Sequence, residues 1–466
     1  MKLRFILTLL AATFFTCGVT LAQDVSVDNL KTQIERMERM LEEQQKQIGE
    51  LKQVLEEKVK VKEKEGKEVV VEDKKIEGVV EKYLEKKETK EKFAKLGLLP
   101  NLNMGYKDGF YLETLDKKFK LQMEGRLQTR YEFLDRDEGK EDTSSFLLRR
   151  ARLAWKGHTF SPNINYKLEA GFDKGEAFNL LDYYFNMTHI TPLNVQFGQF
   201  KAPFNRQRIT SSGSLQLIDR SEANEVFNLD RQLGVMLHSS KLLDKKFEYG
   251  FGIFNGSSVT GRHAPSGRNV KENDNNKHLF VLRAAYNPFG EFGYSEGDLE
   301  YSEKLKATIG GAGAFSSDEI NILDGAGKTI GTEDVDTARL VGELGLKYRG
   351  ASFLSEVYYR HRDASQISKG LSLQRDSIVD TGFFTQAGYF IIPKRLEIAG
   401  RFSLVNYDDI SFSNLDGVRE YTGGLNYFFN GHRNKLQANV VKVEDDFHTA
   451  EDEDTYKFQL QYQIYF

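Results

Sequence analysis

One stretch of this chain, from Gln196 to Arg231, combines basic side chains with apolar ones. Its five cationic residues are Lys201, Arg206, Arg208, Arg220 and Arg231. Guanidinium groups offer paired donors to phosphate oxygens, and rings of Arg and Lys at a constriction select anions. The stretch separates two alternating runs by about thirty residues, and a connection of that length is usually functional or disordered. Apolar residues such as Phe204 and Phe227 favour order, so we predict a loop that packs against a wall.

The wall is predicted from the runs of residues around this loop, which alternate with period two. In MEGRLQTRYEF, Met123, Leu127 and Phe133 share one face, whereas Arg126 and Arg130 share the other. Such alternation is typical of strands with one apolar face. About sixteen runs have this pattern, each near the ten or so residues that a tilted membrane strand needs. They lie near 119–134, 146–158, 163–173, 178–189, 193–200, 230–239, 246–254, 278–287, 303–315, 337–349, 351–361, 378–391, 394–406, 417–430, 433–443 and 454–466.

The connections between these runs alternate in length. Residues 349–350 are an example of a short connection and 316–336 of a long one, whereas 288–302 is longer than the other short ones. Short periplasmic turns and long outside loops are typical of outer-membrane barrels. A soluble sandwich gives no reason for such alternation.

The end of the chain agrees with this interpretation, because a strand with apolar alternate positions finishes at Phe466. We therefore predict an all-β fold, a 16-stranded antiparallel transmembrane β-barrel over residues 100–466. The loop at 201–229 is predicted to fold inward and narrow the pore.

Lipid accepts few charges, so the polar face of each strand is predicted to line the lumen. The arginines of this face that we assign to the pore are Arg126 and Arg130 on the first predicted strand, Arg150 and Arg152 on the second, and Arg283 on the eighth. With the five loop cations they form the predicted pore lining, which favours anions. Acidic residues such as Glu169, Asp182 and Glu343 share these faces. Pairing of the arginines with wall acids is therefore the competing interpretation.

The first hundred residues differ from the barrel in composition. Residues 1–22 have a basic start and an apolar centre, which predict a signal peptide and hence export. Its cleavage removes Cys17, the single cysteine, so no disulfide is expected. Heptad spacing over 25–58 predicts an α-helical coiled coil in the periplasm, with an amphipathic helix on the protein's own surface as the alternative. Residues 59–99 are predicted to form a charged Lys/Glu spacer.

Several stretches resemble one known family: GRLQTRYEF, FLLRRARLAWKG, INYKLEAGFD, LLDYYFNM, VQFGQFKAPFNRQRITSSGSLQLIDRS, FGIFNG and LRAAYNPFG. They are similar to the phosphate-selective porins of the O and P type in Gram-negative outer membranes. The resemblance is strongest from Gly109 to Gly290 and implies a sixteen-stranded homotrimeric porin that takes up phosphate or polyphosphate. It carries over five motif positions: Arg149, Arg150, Arg152, Lys201 and Arg220.

The predicted function is therefore that of an outer-membrane porin, a passive diffusion channel that prefers anions such as phosphate. Two alternatives stay open: a general porin without anion preference, and a structural tether whose coiled coil joins the barrel to other envelope components. The predicted partners are small phosphate-like anions, outer-membrane lipid and lipopolysaccharide, and further copies of the chain in a homotrimer.

No cofactor, enzyme activity or nucleic-acid partner is predicted. The net charge is -4, and the eight His are scattered without metal spacing. The segment DGAGKT at 324–329 ends like a phosphate-binding P-loop, but the first glycine of that motif is missing and no helix follows.

Overall fold

The computed structural model of the chain describes residues 102–137, 140–172, 178–190, 192–256, 277–323, 329–363, 377–408, 415–447 and 451–466. The predicted signal peptide (1–22), coiled coil (25–58) and charged spacer (59–99) lie outside these residues, so they stay predictions. No helix within the described ranges is long and apolar enough to cross a membrane.

The described residues form eighteen β-strands and two short helices. The strands are β1 (Leu102–Tyr106), β2 (Phe110–Thr114), β3 (Lys120–Arg136), β4 (Thr143–Thr159), β5 (Ser161–Gly171), β6 (Asn179–Met187), β7 (Asn194–Lys201), β8 (Arg231–Leu242), β9 (Phe247–Phe254), β10 (Leu279–Tyr286), β11 (Lys306–Leu323), β12 (Thr329–Tyr348), β13 (Ala351–Asp363), β14 (Ser377–Ile392), β15 (Leu396–Asn406), β16 (Leu415–Asn430), β17 (Asn434–Phe447) and β18 (Glu453–Tyr465). The helices are α1 (Arg206–Ile209) and α2 (Glu222–Phe227).

Sixteen of these strands, β3 to β18, form a closed antiparallel barrel. Each strand pairs with the next along the chain, and the barrel closes because β18 pairs with β3, where Gln461 stands opposite Arg130. The sixteen predicted runs correspond one to one to these strands. The prediction of a sixteen-stranded antiparallel barrel is therefore confirmed. A period of two identifies such strands because successive side chains point alternately to the lumen and to the outside.

A hairpin, β1–β2, precedes the barrel and is not predicted by the sequence patterning. β2 pairs with the first residues of β3, from Lys120 to Met123. β18 pairs with β3 only from Arg126 onwards, and the backbone of Phe466 then bonds to Gly125. β2 therefore occupies the place beside β3 that the last strand leaves open. Each run is five residues long, which is too short to show a period clearly.

The connections at one end of the barrel are short turns, apart from residues 287–305, and the connections at the other end are mostly longer. Between β12 and β13, Arg349 and Gly350 have φ values of 48° and 83°, as a two-residue type I′ turn requires. At the opposite end, the sequence predicts a loop over 316–336. The structure has strands in most of this range instead, because β11 continues to Leu323 and β12 begins at Thr329, and the two stay paired. A strand outside the lipid needs no apolar face, so its sequence loses the period although its hydrogen bonds continue.

The longest connection at the short-turn end, residues 287–305 between β10 and β11, folds into the barrel and is called the inner segment below. Its residues Phe292 and Asp298 are buried. Asp298 accepts hydrogen bonds from the N–H of Ser302 at 2.9 Å and of Gly350 at 2.8 Å. These bonds fix the inner segment to the turn between the next two strands. The sequence marks it only by the unusual length of 288–302.

The outer face of the barrel is apolar. On β12, Leu340 and Leu344 point outward and are exposed, whereas Glu343 and Lys347 point to the lumen and are buried. Exposed aromatic residues near the short-turn end are Phe160, Tyr286, Tyr348, Tyr389, Tyr427 and Phe429. An apolar band with an aromatic girdle is the surface that outer-membrane barrels present to lipid.

One sector of the lumen face is apolar as well, which the alternation of the strands does not predict. Tyr358, Phe384, Val405, Val418 and Val443 lie on the five successive strands β13 to β17 and are almost completely buried. They belong to one core with apolar residues of the loop between β7 and β8. The lumen face is apolar here because the loop, and not water, covers it.

Candidate functional site

The loop between β7 and β8, residues 202–230, lies inside the barrel and is called the pore loop below. Its side chains Phe204, Leu217 and Phe227 are at most 2% exposed. The ring of Phe227 stacks on Tyr358 of β13, with centroids 5.2 Å apart and planes 9° apart. Such a ring pair contributes about 0.5–1.5 kcal/mol beyond the area it buries. The pore loop is therefore packed like a protein core.

Glycines of the wall receive two of these side chains. A Cβ added at Gly382 of β14 would lie 2.6 Å from the Phe227 ring, and one at Gly424 of β16 would lie 2.5 Å from Leu217. These distances are shorter than any ordinary carbon contact. The absence of a side chain at the two positions lets the pore loop approach the wall closely.

Carboxylates of the wall satisfy N–H groups of the pore loop. Glu356 of β13 accepts a hydrogen bond from the N–H of Gln207 at 2.7 Å, and Glu420 of β16 accepts one from the N–H of Glu222 at 2.8 Å. Ser221 caps the N-terminus of the helix α2, because its Oγ accepts a hydrogen bond from the N–H of Asn224 at 3.0 Å. A buried N–H without a partner costs about 1–3 kcal/mol, so these acceptors stabilise the inward position.

Asp219 joins the pore loop to the first two barrel strands. Arg130 of β3 donates to its two carboxylate oxygens at 2.8 and 2.9 Å, Arg149 of β4 donates at 3.4 Å, and the guanidinium of Arg150 lies 4.0 Å away. Burial alone would raise the pKa of Asp219, but the charges of Arg130 and Arg149 hold that pKa well below its usual range. The carboxylate therefore stays ionised and binds the loop to both strands.

Arg149 reaches Asp219 because β4 contains a β-bulge. Arg150 pairs with Gln128 and Leu148 pairs with Thr129, so Arg149 is the extra residue between them. Such a bulge bends the strand and redirects a side chain. Strict alternation with Arg150 would place Arg149 on the outer face, so alternation alone does not predict this contact.

Arg206 of the pore loop and Arg283 of β10 share two carboxylates. Arg206 donates to Glu343 and to Glu248, both at 2.9 Å. Arg283 donates to the two oxygens of Glu343 at 2.5 and 2.6 Å. The positive charges of Arg206 and Arg283 are thus balanced by carboxylates of the wall. Such pairing is the alternative to a cationic pore lining that the sequence leaves open for the wall arginines.

Arg208 and Arg220 bind within the pore loop itself. Arg208 donates to Asp230 at 3.0 Å. Burial by itself would raise the pKa of Asp230, but the charges of Arg208 and Arg231 hold it below its usual range. Arg220 donates to two backbone carbonyl oxygens of the loop, at 2.9 and 2.7 Å. Both guanidinium groups therefore fix the shape of the loop.

A cavity of about 550 Å³ lies between the pore loop and the wall formed by β3 to β10. Its cationic lining residues are Arg126, Arg152, Lys156, Lys167, Lys201, Arg231 and Arg283. Its acidic lining residues are Glu124, Glu169, Asp182 and Glu248. Seven cationic residues against four acidic ones give the lining residues a formal excess of three positive charges. One of these charges, on Arg283, is paired with Glu343, which is not a lining residue.

The ten predicted pore-lining residues separate into two groups. Five line the cavity: Arg126, Arg152, Lys201, Arg231 and Arg283. The other five do not line it and lie between the pore loop and the wall or within the loop: Arg130, Arg150, Arg206, Arg208 and Arg220. Arg126, Arg231 and Arg283 of the first group are buried as well, so the two groups differ in their contact with the cavity. Alternation predicts which face a residue occupies, whereas this division depends on the path of the loop.

The charged residues of the site that are absent from the predicted set include two lysines and an aspartate of the pore loop. Lys156 and Lys167 line the cavity, and Asp219 holds the loop. Lys156 follows Arg152 at the same face of β4, so continued alternation along that strand would have found it. The sequence carries no signal for the role of Asp219, because its partners lie on other strands.

The cavity suits reversible contacts with small ions. Several cations along one wall offer weak sites in series, which conduction requires because a single tight site would hold the ion. Within the described ranges, no group of three or more His, Cys, Asp or Glu side chains is arranged to hold a metal ion.

A closed sixteen-stranded barrel with an apolar outer belt and a loop packed into its lumen defines an outer-membrane porin. The chain belongs to the family described as phosphate-selective porin O and P, which matches residues 121–466. The barrel thus places the chain in the outer membrane.

Individual relatives are more distant. A protein of Aquifex aeolicus (strain VF5), described as uncharacterized, is 24% identical over 381 residues, which cover 73% of this chain and 87% of its own. An anion-selective porin from Comamonas acidovorans has a TM-score of 0.51 at 12% identity, over 74% of this chain and 100% of its own. OmpT of Vibrio cholerae, in its trimer form, has a TM-score of 0.50 at 12% identity, over 74% of this chain and 99% of its own. The two solved structures share the fold.

Proposed function

We propose that this porin is a passive diffusion channel that prefers anions, with phosphate or polyphosphate as its substrates. The observation that carries the proposal is the excess of three positive charges along the cavity. Walls of low dielectric concentrate the field of such an excess and raise the local concentration of anions. The family description and the anion-selective porin of the same fold support the same preference.

Arg126 and Arg152, which line the cavity, are the proposed contacts for phosphate. Arg126 also donates to the hydroxyl of Ser212 in the pore loop at 3.0 Å, so it lies where the loop meets the wall. Arg152 donates to Glu169 at 3.2 Å. A guanidinium group presents several N–H donors in a planar fork that matches phosphate oxygens, which suits both arginines to brief contacts with phosphate.

A general porin without anion preference is the second candidate, and ion pairs of the cavity favour it. Arg231 donates to Asp182 at 2.6 Å, and Lys156 donates to Glu124 at 2.7 Å. Pairs of this kind cancel much of the field that a passing ion experiences. The two candidates therefore differ in what determines the field that a passing ion experiences: the excess of cations in the first, and the mutually cancelling ion pairs in the second.

Reconstitution in a planar bilayer distinguishes them. We expect the zero-current potential in a KCl gradient to have the sign of chloride permeation. Phosphate added at constant ionic strength should then reduce the chloride conductance more than nitrate does, because phosphate has more acceptor oxygens for the cavity cations. A potential of the opposite sign, or equal effects of phosphate and nitrate, would contradict the proposal.

The assembly is proposed to be a homotrimer in contact with outer-membrane lipid and lipopolysaccharide, with a coiled coil over 25–58 in the periplasm. The trimer form of the Vibrio cholerae relative supports the number of subunits. Native mass spectrometry of the detergent-extracted protein tests it, and a monomer or dimer would contradict it. Deleting 25–58 separates the channel from the tether hypothesis, because a channel should still conduct without these residues, whereas a tether should lose its envelope phenotype.

A further inference from the structure

The inner segment, residues 287–305, meets the pore loop from the short-turn end of the barrel. Arg206 of the loop donates to the carbonyl oxygen of Gly293 at 2.9 Å. Its guanidinium carbon lies 4.6 Å from the ring centroid of Tyr294 and 5.3 Å from that of Phe292. Arg206 is thus in contact with two aromatic rings and one carbonyl oxygen of a segment that belongs to a different connection.

A second contact lies further along the pore loop. Glu296 of the inner segment is 4% exposed, and its carboxylate accepts a hydrogen bond from the N–H of Gln216 at 2.8 Å. The N–H of Glu296 in turn donates to the carbonyl oxygen of Ser214 at 3.4 Å. The inner segment therefore supports the loop at two places that are about ten residues apart.

The inner segment is itself fixed to the wall, so it provides a rigid support. Phe292 packs where Gly345 of β12 leaves space, since a Cβ there would lie 2.7 Å from its ring. The Nζ of Lys347 lies 4.6 Å from the same ring centroid. Cations over aromatic faces are attracted by the ring quadrupole, so both Arg206 and Lys347 help to hold the Phe292 ring.

Tyr294 is the member of the inner segment that also lines the cavity. Its hydroxyl donates to Glu248 at 3.0 Å, and Glu248 also accepts a hydrogen bond from Arg206 at 2.9 Å. The ring therefore lies against Arg206 on one side and faces the passage with another part of its surface. Tyr294 therefore contacts both Arg206 of the pore loop and the cavity.

We propose that the inner segment forms the second side of the constriction and that Tyr294 is a positioning residue, which sets the width of the passage by holding Arg206 and with it the start of the pore loop. The inference concerns the size of the passage, so it is independent of which ions the passage prefers. Conductance tests it, whereas the zero-current potential tests the proposed anion preference.

Single-channel conductance of Tyr294→Ala, Tyr294→Phe and Tyr184→Ala provides the test. Tyr294→Ala should raise the conductance about twofold and increase its noise, because Arg206 loses the ring that it rests on. Tyr294→Phe keeps that ring and should conduct like the wild type. Tyr184 lines the same cavity from β6, where its ring packs on Phe200 of β7. Tyr184→Ala removes a ring of the same size and should raise the conductance less.

The proposal would be overturned if Tyr294→Ala conducted like the wild type. Equal increases for Tyr294→Ala and Tyr184→Ala would also overturn it, because the lost volume of a ring would then explain both. Heat-modifiable migration in gel electrophoresis reports whether each barrel has folded. If Tyr294→Ala does not fold, Phe292→Leu replaces it. That variant removes one ring from Arg206 and should also raise the conductance, and an unchanged conductance would overturn the proposal.

Discussion

Asp219 of the pore loop and Arg130 of the first barrel strand form a bidentate ion pair, with distances of 2.8 and 2.9 Å. The two residues are 89 positions apart in the sequence. The same loop also packs Phe227 on Tyr358 of β13. It is therefore held by β3 and β4 at one place and by β13 at another, and it crosses the lumen between them.

Asp219→Asn tests the charge of this pair. The amide has nearly the same shape but leaves Arg130, Arg149 and Arg150 without their shared carboxylate. We expect a shift of the zero-current potential towards the chloride equilibrium potential and a free energy of unfolding lower by about 1–2 kcal/mol. Asp116→Asn, in the exposed turn before β3, is the matched control and should change neither quantity. A shift towards potassium would contradict the prediction.

Gly382→Ala tests the close packing of the pore loop on the wall. The new Cβ would lie 2.6 Å from the Phe227 ring, and overpacking of this kind costs about 1–3 kcal/mol. We expect a lower free energy of unfolding and a noisier, larger conductance. Gly342→Ala is the control, because nothing lies within 4 Å of its Cβ position.

A second substitution makes this test specific. Phe227→Leu in the Gly382→Ala background should recover part of the lost stability, because the smaller side chain leaves room for the new Cβ. Additive losses in the double variant would show that the two positions do not interact.

The pH dependence of stability follows from the lowered pKa of Asp219. An unfolded Asp has a pKa of about 3.9. The ion pair therefore contributes its full stabilisation above that value and loses it as the pH falls through the lower folded-state pKa. We expect the difference in free energy of unfolding between wild type and Asp219→Asn to shrink from about pH 5 towards pH 2. A difference that grows in acid would contradict this assignment.

Arg152→Gln and Arg220→Gln test the division of the predicted arginines into two groups. Arg152 lines the cavity, so its replacement should weaken the anion preference and leave the conductance noise near the wild-type level. Arg220 is buried on two carbonyl oxygens of the loop, so its replacement should increase the noise and shift the zero-current potential less. Equal shifts in the two variants would show that the division has no functional meaning.

Much of the barrel is predictable because its strands obey a local rule. Residues such as Leu127 and Arg126 face lipid and lumen alternately, and the period of two appears in any window of ten residues. The exceptions are the five-residue strands β1 and β2 and the continuation of β11 to Leu323. In those places the strand is too short or has no lipid to face, so the local rule gives no signal.

The site is less predictable because its chemistry depends on partners far apart in the chain. Arg206 and Glu343 are 137 positions apart, and the apolar lumen residue Phe384 is explained only by the loop that covers it. Alternation predicts that an arginine faces inward. It does not predict whether the arginine meets an ion in the passage or a carboxylate of the wall.

The zero-current potential of the wild-type channel in a KCl gradient tests the central claim most directly, because it reports the net effect of the cavity charges on both ions at once. The double variant Lys156→Gln and Arg152→Gln, which removes two of the seven cations, supplies the reference. We predict a potential with the sign of chloride permeation for the wild type and a smaller one for the double variant. A potential with the sign of potassium permeation in the wild type would contradict the account.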